Sequence, residues 1–201
     1  MSNQEVRRKE IEAAAFELLS EKGYRSTSML QIAKRANASN QTLYAWYGNK
    51  QTLFKAIIER NGETVREHLE AALADSSNPL EALEKLGPLL LRYSCGEKAI
   101  IISRAAVQDA TETGMLGQTV EDVARGTVMP LLGALMERLE RNGDFQLDTG
   151  AHDAAEIYVS LLFGELQIRL ARGNLEPLNE NSMNARASRA FALTCRLFRS
   201  P

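Results

Sequence analysis

The chain has 201 residues, of which 44% are hydrophobic and 25% charged, and its formal net charge is -2. That balance excludes whole-chain disorder, and the length suffices for a packed core in one large domain or two small ones. Thirteen glycines without a triplet period exclude a collagen-like chain, and two widely separated cysteines exclude a disulfide scaffold.

The opening MSNQEVRRKE is charged and has no apolar stretch behind it, so a secretory signal is not expected. Apolar runs such as 99–102 fall far short of the roughly 18 residues that span a bilayer. Few prolines and long stretches without any favour helix, and the expectation is a cytoplasmic, mostly helical protein with no membrane partner. Charge is unevenly spread: residues 1–60 carry ten Lys/Arg against six acids, and the remainder fourteen against twenty. A basic head on an acidic body suits a head that meets a polyanion.

In the first helix Ile11, Ala14, Ala15, Leu18 and Leu19 recur at three- and four-residue steps, and Gly23 follows as a stop signal. The next start is Thr27-Ser28, where Ser28 and Gln31 have the spacing of a capping box, followed by the stripe Met29, Ile32, Ala33 and Ala36. Asn37-Ala38-Ser39 reads as a tight turn, with Asn tolerating a left-handed backbone and Ser39 capping a short third helix, Asn40 to Tyr47. Leu43 and Tyr47 are its expected anchors. Gly48-Asn49 is a turn, and a fourth helix opens near Lys50 with Leu53, Phe54, Ile57 and Ile58, running on through Leu69 and Leu73. Two short helices joined by about three turn residues have the geometry of a helix-turn-helix, although an ordinary helical bundle has the same pattern.

The segment AAAFELLSEKGYRSTSMLQIAKRANASNQTLYAWYGNKQTLFKAII resembles the DNA-binding domain of the TetR family of bacterial transcriptional regulators. The matching features are the AA-x-x-L-L opening, G-Y-x-x-T-S-M-x-x-I-A, S-x-x-T-L-Y, the pair Trp46-Tyr47 and N-K-x-x-L-F, in register without a gap. The resemblance implies an all-α protein. A three-helix helix-turn-helix domain over residues 1–62 would be followed by a helical effector-binding and dimerisation domain over 63–201.

It further implies DNA contacts from Thr27, Ser28, Ser39, Asn40, Gln41, Thr42, Tyr44, Trp46 and Lys50. The chemistry of each side chain agrees. Thr27 and Ser28 offer hydroxyls at a helix start, which suits a phosphate. Asn40 and Gln41 can make paired hydrogen bonds to adenine, and Thr42 can meet a thymine methyl or a phosphate. Tyr44, Trp46 and Lys50 are donors at backbone-contacting positions. The sequence departs from the family's pattern where Asn37 replaces Gly, Ala38 a branched residue, Asn40 a common base, and Tyr47 the usual Phe. The Tyr47 hydroxyl lies either near the DNA or at the edge of the core.

Beyond the fourth helix, Asp75-Ser76-Ser77-Asn78-Pro79 reads as a linker, and Leu80, Leu83, Leu86, Leu90 and Leu91 continue with helical spacing. A helix over 97–110 is centred on Ile100, Ile101, Ile102, Ala105 and Val107. The stretch 114–142 should break or kink at Gly126 and Pro130. A helix over 151–172 and another over 185–199 close the chain, separated by a loop over 173–183.

In the family such a terminal pair meets its copy in a second subunit. Tyr158, Leu162, Leu166, Leu170, Ala187, Ala190, Phe191, Thr194 and Phe198 are the residues expected at that homodimer contact, with Gly164 permitting close approach. The competing reading is that both helices close their own domain. Effector-lining candidates, implied by the resemblance, are Tyr93, Ile101, Arg104, Ala105, Gln108, Leu132, Met136 and Phe163. Arg104 and Gln108 lie one turn apart, either on an exposed face or holding the polar end of a ligand.

His68 and His152 stand alone, and no C-x-x-C, H-x-x-x-H or H-E-x-x-H spacing occurs, so no metal, no cofactor and no enzymatic activity are expected. The function implied is a homodimeric repressor on a palindromic operator, released by a small molecule. A TetR-like activator, a partner-controlled regulator, and a helical protein with a vestigial head are the alternatives.

Overall fold

The computed structural model describes residues 3–74 and 78–199, with Ala72 known by its backbone alone. Among these residues there are eleven α-helices and no strand. They are α1 (Asn3–Lys22), α2 (Met29–Arg35), α3 (Asn40–Tyr47), α4 (Lys50–Ala74), α5 (Pro79–Cys95), α6 (Glu97–Asp109), α7 (Met115–Val123), α8 (Met129–Arg141), α9 (Ala151–Phe163), α10 (Leu166–Ala171) and α11 (Glu180–Phe198). No helix of the described residues is long and apolar enough to cross a membrane.

The chain forms two compact units. The first takes the residues up to Asn61 together with Ile101–Asp122, and the second takes Gly62–Ile100 and the residues from Val123 on. Helices α4 and α6 therefore contribute to both. Sequence patterning gave 101–122 to the body, because periodicity along a helix carries no information about a contact eighty residues away.

In the first unit the punctuation expected from sequence is all present. Gly23 adopts φ +75° at the end of α1, and Asn37 is the one described non-glycine residue with positive φ, at +49°. The Ser28 hydroxyl accepts from the Gln31 amide at 3.3 Å, and Gln31 Oε1 accepts from the Ser28 amide at 3.0 Å, closing the capping box. Ser39 caps α3 by accepting from the Thr42 amide at 2.9 Å, and Asn49 does the same for α4 through Thr52 at 2.8 Å. Ile11, Ala15, Ile32, Leu43 and Leu53 are fully buried, and Tyr24 packs edge-on against Phe54 with ring centroids 5.5 Å apart.

The second unit packs α5 with α8, α9 and α11 around Leu83, Leu86, Leu90, Leu132, Leu139, Tyr158 and Leu162. Asn78 caps α5 by accepting from the Leu80 amide at 2.9 Å, and Pro79 occupies the first turn, where a missing N–H costs nothing. The rest of the expected linker, 75–77, lies outside the described residues. The break expected at Gly126 and Pro130 is a π-helical turn, Ala124–Val128, inserted between α7 and α8. A wider turn lets the chain pass Pro130, which supplies no amide and would press on the carbonyl of residue 126 in a regular helix.

Three expectations are corrected. The helix expected over 151–172 is two helices, because Gly164 takes φ +48° and stops α9 rather than easing helix approach. Arg186 from α11 satisfies the carbonyls left open there, donating to Leu162 at 2.5 Å and Phe163 at 2.7 Å. The last helix starts at Glu180, capped by Asn179, several residues before the expected start at Ala185. Val107, expected among the apolar centre of α6, is 69% exposed, while Ile100, Ile102 and Ala105 are buried.

Gly87 marks a close approach of α5 to α9 and α11 in this core. A Cβ built there would lie 2.8 Å from the Tyr158 hydroxyl and 3.0 Å from the Ala187 Cβ. Helix propensity alone would make Gly87→Ala stabilising by about 1 kcal/mol. Overpacking outweighs that, and a net loss of about 1–2 kcal/mol is expected in urea unfolding.

Candidate nucleic-acid interface

Recognition of DNA by a short helix needs polar side chains outward and a rigid seat behind them. In α3, Leu43 and Tyr47 are buried, and Ser39, Asn40, Gln41, Tyr44 and Ala45 are exposed, with Thr42 and Trp46 half-buried. Ser39 and Thr42 hydroxyls lie 2.8 Å apart, so the cap and the helix's first turn are held as one piece. Six of the nine expected contact residues, Ser39 through Thr42 with Tyr44 and Trp46, thus lie on α3 and its cap, a helix anchored by Leu43 and Tyr47 about one turn apart.

Outside α3 the placements are mixed. Ser28 is exposed at the start of α2, where an anion would meet its hydroxyl and the first-turn amides. Thr27 is corrected: it is 2% exposed, and its hydroxyl donates to the Gly23 carbonyl at 2.8 Å. A side chain so placed ties the α1–α2 turn and has no surface to offer a phosphate. Lys50 is half-buried. Its ammonium donates to the Tyr24 carbonyl at 3.0 Å and stands 4.1 Å from the Tyr24 ring centroid, bracing the same turn against the start of α4.

Much of the basic excess read from sequence is matched locally. Arg7 pairs with Glu10 at 2.6 Å, Lys55 with Glu59 at 3.8 Å, and Arg25 with Glu112 at 3.6 Å. Arg35 pairs with Glu17 at 3.3 Å and Glu21 at 2.8 Å. The Arg35 hydrogen bond holds the Glu21 carboxyl below its ordinary range. Such exposed pairs open at little cost when a phosphate competes.

Two residues that sequence reasoning missed bear on α3. Arg8 of α1 places its guanidinium 5.7 Å from the Trp46 ring centroid, bringing a cation to the end of α3. Glu12 of α1 is 8% exposed and lies among the buried apolar positions of that helix. It accepts from the Tyr47 hydroxyl at 3.2 Å and pairs with Arg60 of α4 at 3.2 Å. A sequence signal existed: position 12 lies beside the buried stripe, where an acid needs a partner to be tolerated.

The effector candidates divide between the units. Leu132 and Met136 are fully buried, and Phe163 nearly so, in the core of the second unit, with the half-buried Tyr93 packed against it. Ile101, Arg104, Ala105 and Gln108 belong to the first unit. Gln108 is corrected as a ligand holder: its Oε1 accepts from the Tyr24 amide at 2.8 Å and the Arg25 amide at 3.3 Å. It braces the α1–α2 turn. Arg104 is exposed, as the alternative reading had it, and Ala105 is buried. A shallow hollow of about 340 Å³ in the second unit is lined by Arg125, Met129, Pro130, Gly133, Ala134, Glu137, Ala151 and His152, none of them an expected effector residue.

Most of the expected dimer residues are interior in the single chain. Tyr158, Leu162, Leu166, Leu170, Ala187, Ala190 and Thr194 are buried in the core of their own unit, with Phe191 and Phe198 packed against it. The buried residues have no surface left for a second copy, whereas Phe191 and Phe198 are half-buried and keep part of theirs. The apolar residues exposed on α9, α10 and α11 are Ile157, Ile168 and Leu197. Cys95 and Cys195 are both buried, and burial pushes the Cys95 thiol up to about 11, which leaves it unreactive at neutral pH.

Residues 11–57 match the family model described as "Bacterial regulatory proteins, tetR family". The chain is 29% identical to the uncharacterized HTH-type transcriptional regulator YvkB of Bacillus subtilis, over 83% of this chain and 84% of that protein. It is 26% identical to the HTH-type transcriptional repressor BepR of Brucella suis, over 79% and 78% respectively. A Mesorhizobium loti protein assigned to the TetR-family transcriptional regulators has the same fold, with a TM-score of 0.86, 20% identity and complete coverage of both chains. The matched segment runs from α1 into α4, the same stretch in which capping, turn and buried anchors assemble the helix-turn-helix, and that segment is a DNA-binding domain of the TetR family of transcriptional regulators.

Proposed function

We propose that this chain is a homodimeric repressor that grips a palindromic operator with α3 and releases it when a small molecule binds the second unit. The observation that carries the DNA-reading part is the exposed face Ser39, Asn40, Gln41 and Tyr44 on a helix anchored by buried Leu43 and Tyr47. Gln41 and Asn40 have the donor and acceptor pairs that adenine offers in the major groove. Ser28, Thr42, Tyr44 and Trp46 serve the phosphates, with Lys50 contributing the N–H groups its turn contact leaves over. The functional division falls near residue 62, with the effector and dimerisation roles beyond it.

Homodimerisation follows from the requirement that two recognition helices meet successive major grooves, about 34 Å apart. Ile157, Ile168 and Leu197 are the apolar surface on which the second copy rests. The repressor reading is supported by the similarity to BepR, a transcriptional repressor. Helices α4 and α6 run through both units and are the covalent routes by which an effector shifts the head, provided it binds the two states unequally. The Gln108 brace on Tyr24 and Arg25 is where α6 touches the turn before α2.

Selection of bound fragments from a random DNA pool at moderate salt tests this reading. An inverted repeat is expected, and a folded protein that enriches nothing, or a single asymmetric site, counts against it. Gln41→Ala should change base preference at defined positions and lower affinity by about 5- to 100-fold, the worth of one bidentate base contact. Tyr44→Ala should weaken all sequences alike. An unaltered selected sequence for Gln41→Ala would remove base reading from that residue.

A further inference from the structure

We propose that Glu12 and Tyr47 are positioning residues for DNA reading, their buried contact forming with the exposed Arg60 a polar clamp that sets the seat of α3 on α1 and α4. This inference rests on α3 being the reading helix. The clamp joins all three supports of the recognition unit at one point. The Glu12 carboxylate comes from α1, the Tyr47 hydroxyl from the last residue of α3, and the Arg60 guanidinium from α4, each contact at 3.2 Å. Glu12 and Tyr47 are 8% and 7% exposed.

An apolar contact between helices is non-directional and tolerates sliding, whereas a hydrogen bond to a buried carboxylate holds one geometry. The same residue that ends α3 thereby fixes where its opposite, DNA-facing end points. A buried acid in a small apolar core is costly unless partnered, so stability alone does not account for Glu12. Burial pushes the Glu12 carboxyl above its ordinary value against the pull of Arg60, Tyr47, and the nearby Arg8 and Lys9 of its own helix. Burial and the Glu12 charge together push the Tyr47 hydroxyl up to about 12, so it remains a proton donor throughout the working range.

The sign of the coupling to stability follows. With its folded value raised, Glu12 binds more protons in the fold than in the unfolded chain over the window between the two values. Its contribution therefore falls as pH rises through that window. The clamp and the fold thus pull in opposite directions: the carboxylate serves the geometry, and the neutral acid serves the core.

Four variants test the proposal on full-length protein: Tyr47→Phe, Glu12→Leu, their double, and Glu12→Gln. The readout is the ratio of affinity for the selected fragment to that for random DNA, measured against pH, with thermal melting alongside. Tyr47→Phe and Glu12→Leu should each lower the ratio by about tenfold, the worth of one hydrogen bond to a charged group. The double variant should match either single one, because both remove the same contact. Glu12→Gln keeps an acceptor for Tyr47 and should stay within about threefold of wild type, with a flat pH profile. The wild-type ratio should fall toward that of Glu12→Gln as acid protonates Glu12. Melting of Glu12→Gln, which keeps an acceptor for Tyr47, should stay close to that of wild type. Unchanged selectivity in Tyr47→Phe, additive effects in the double variant, or loss of selectivity in step with loss of melting temperature would each overturn the clamp. A wild-type protein that selects no fragment would overturn both the reading of α3 and this inference.

Discussion

Tyr158→Ala is expected to lower the unfolding free energy of the second unit by about 3–5 kcal/mol, the range for removing a buried aromatic side chain. Tyr158 is fully buried between α5 and α11, its hydroxyl 3.4 Å from the Leu83 carbonyl and beside Gly87. Truncation leaves a cavity that rigid helices on three sides cannot close. The loss should be the same at micromolar and at tenfold higher protein concentration in urea unfolding followed by circular dichroism. That independence separates a residue of the chain's own core from the subunit contact its sequence position implies. A loss that shrinks at the higher concentration would place Tyr158 at an interface between copies. Tyr158→Phe, which keeps the ring, should cost about 1 kcal/mol or less, since the hydroxyl contact is long.

Asp109→Ala is expected to cost about 2–3 kcal/mol in the first unit, the worth of a buried charged acceptor with its partners left unpaired. Asp109 has no exposed surface, and its carboxylate accepts from the Thr113 hydroxyl at 2.8 and 2.9 Å and from the Leu116 amide at 3.0 Å. It thereby holds the turn from α6 into α7 and satisfies a first-turn amide of α7. Its neighbour in sequence, Gln108, holds the Tyr24 and Arg25 amides. Hydrogen exchange should accordingly speed up at Leu116 first, and at Tyr24 and Arg25 with it. Faster exchange at Leu116 alone would show that the two braces act independently.

The helix-turn-helix was legible in the sequence to within a residue or two because its signals are local. Ser28 with Gln31, Asn37, Ser39, Gly48 and Asn49 each act on backbone groups within four residues of themselves. Chemistry of that range is written in consecutive letters, and the anchors Leu43 and Tyr47 follow from the same short period. The exposed face of α3 is legible for the same reason, as the complement of those anchors.

Other features depend on partners far along the chain. Gln108 reads as either a surface residue or a ligand group until Tyr24 is brought to it across 84 positions. Glu12 reads as a surface acid until Tyr47 and Arg60 arrive. Thr27 looks like a phosphate contact, and only its burial turns the hydroxyl inward to Gly23. An amphipathic helix has one apolar stripe, and sequence does not say whether that stripe faces its own chain or another. For Leu162, Leu166, Ala187 and Ala190 the answer is their own unit.

The sequence by itself therefore determined the all-helical class and the short capped helices of the head, since periodicity and capping are short-range physics, and its resemblance to the TetR family marked that head as DNA-binding. Tertiary structure decided which polar side chains are spent on bracing that head and which apolar faces are already covered. Those outcomes depend on burial and pairing between helices, and free energies of that kind exist only once distant segments of the chain exclude water from the space between them.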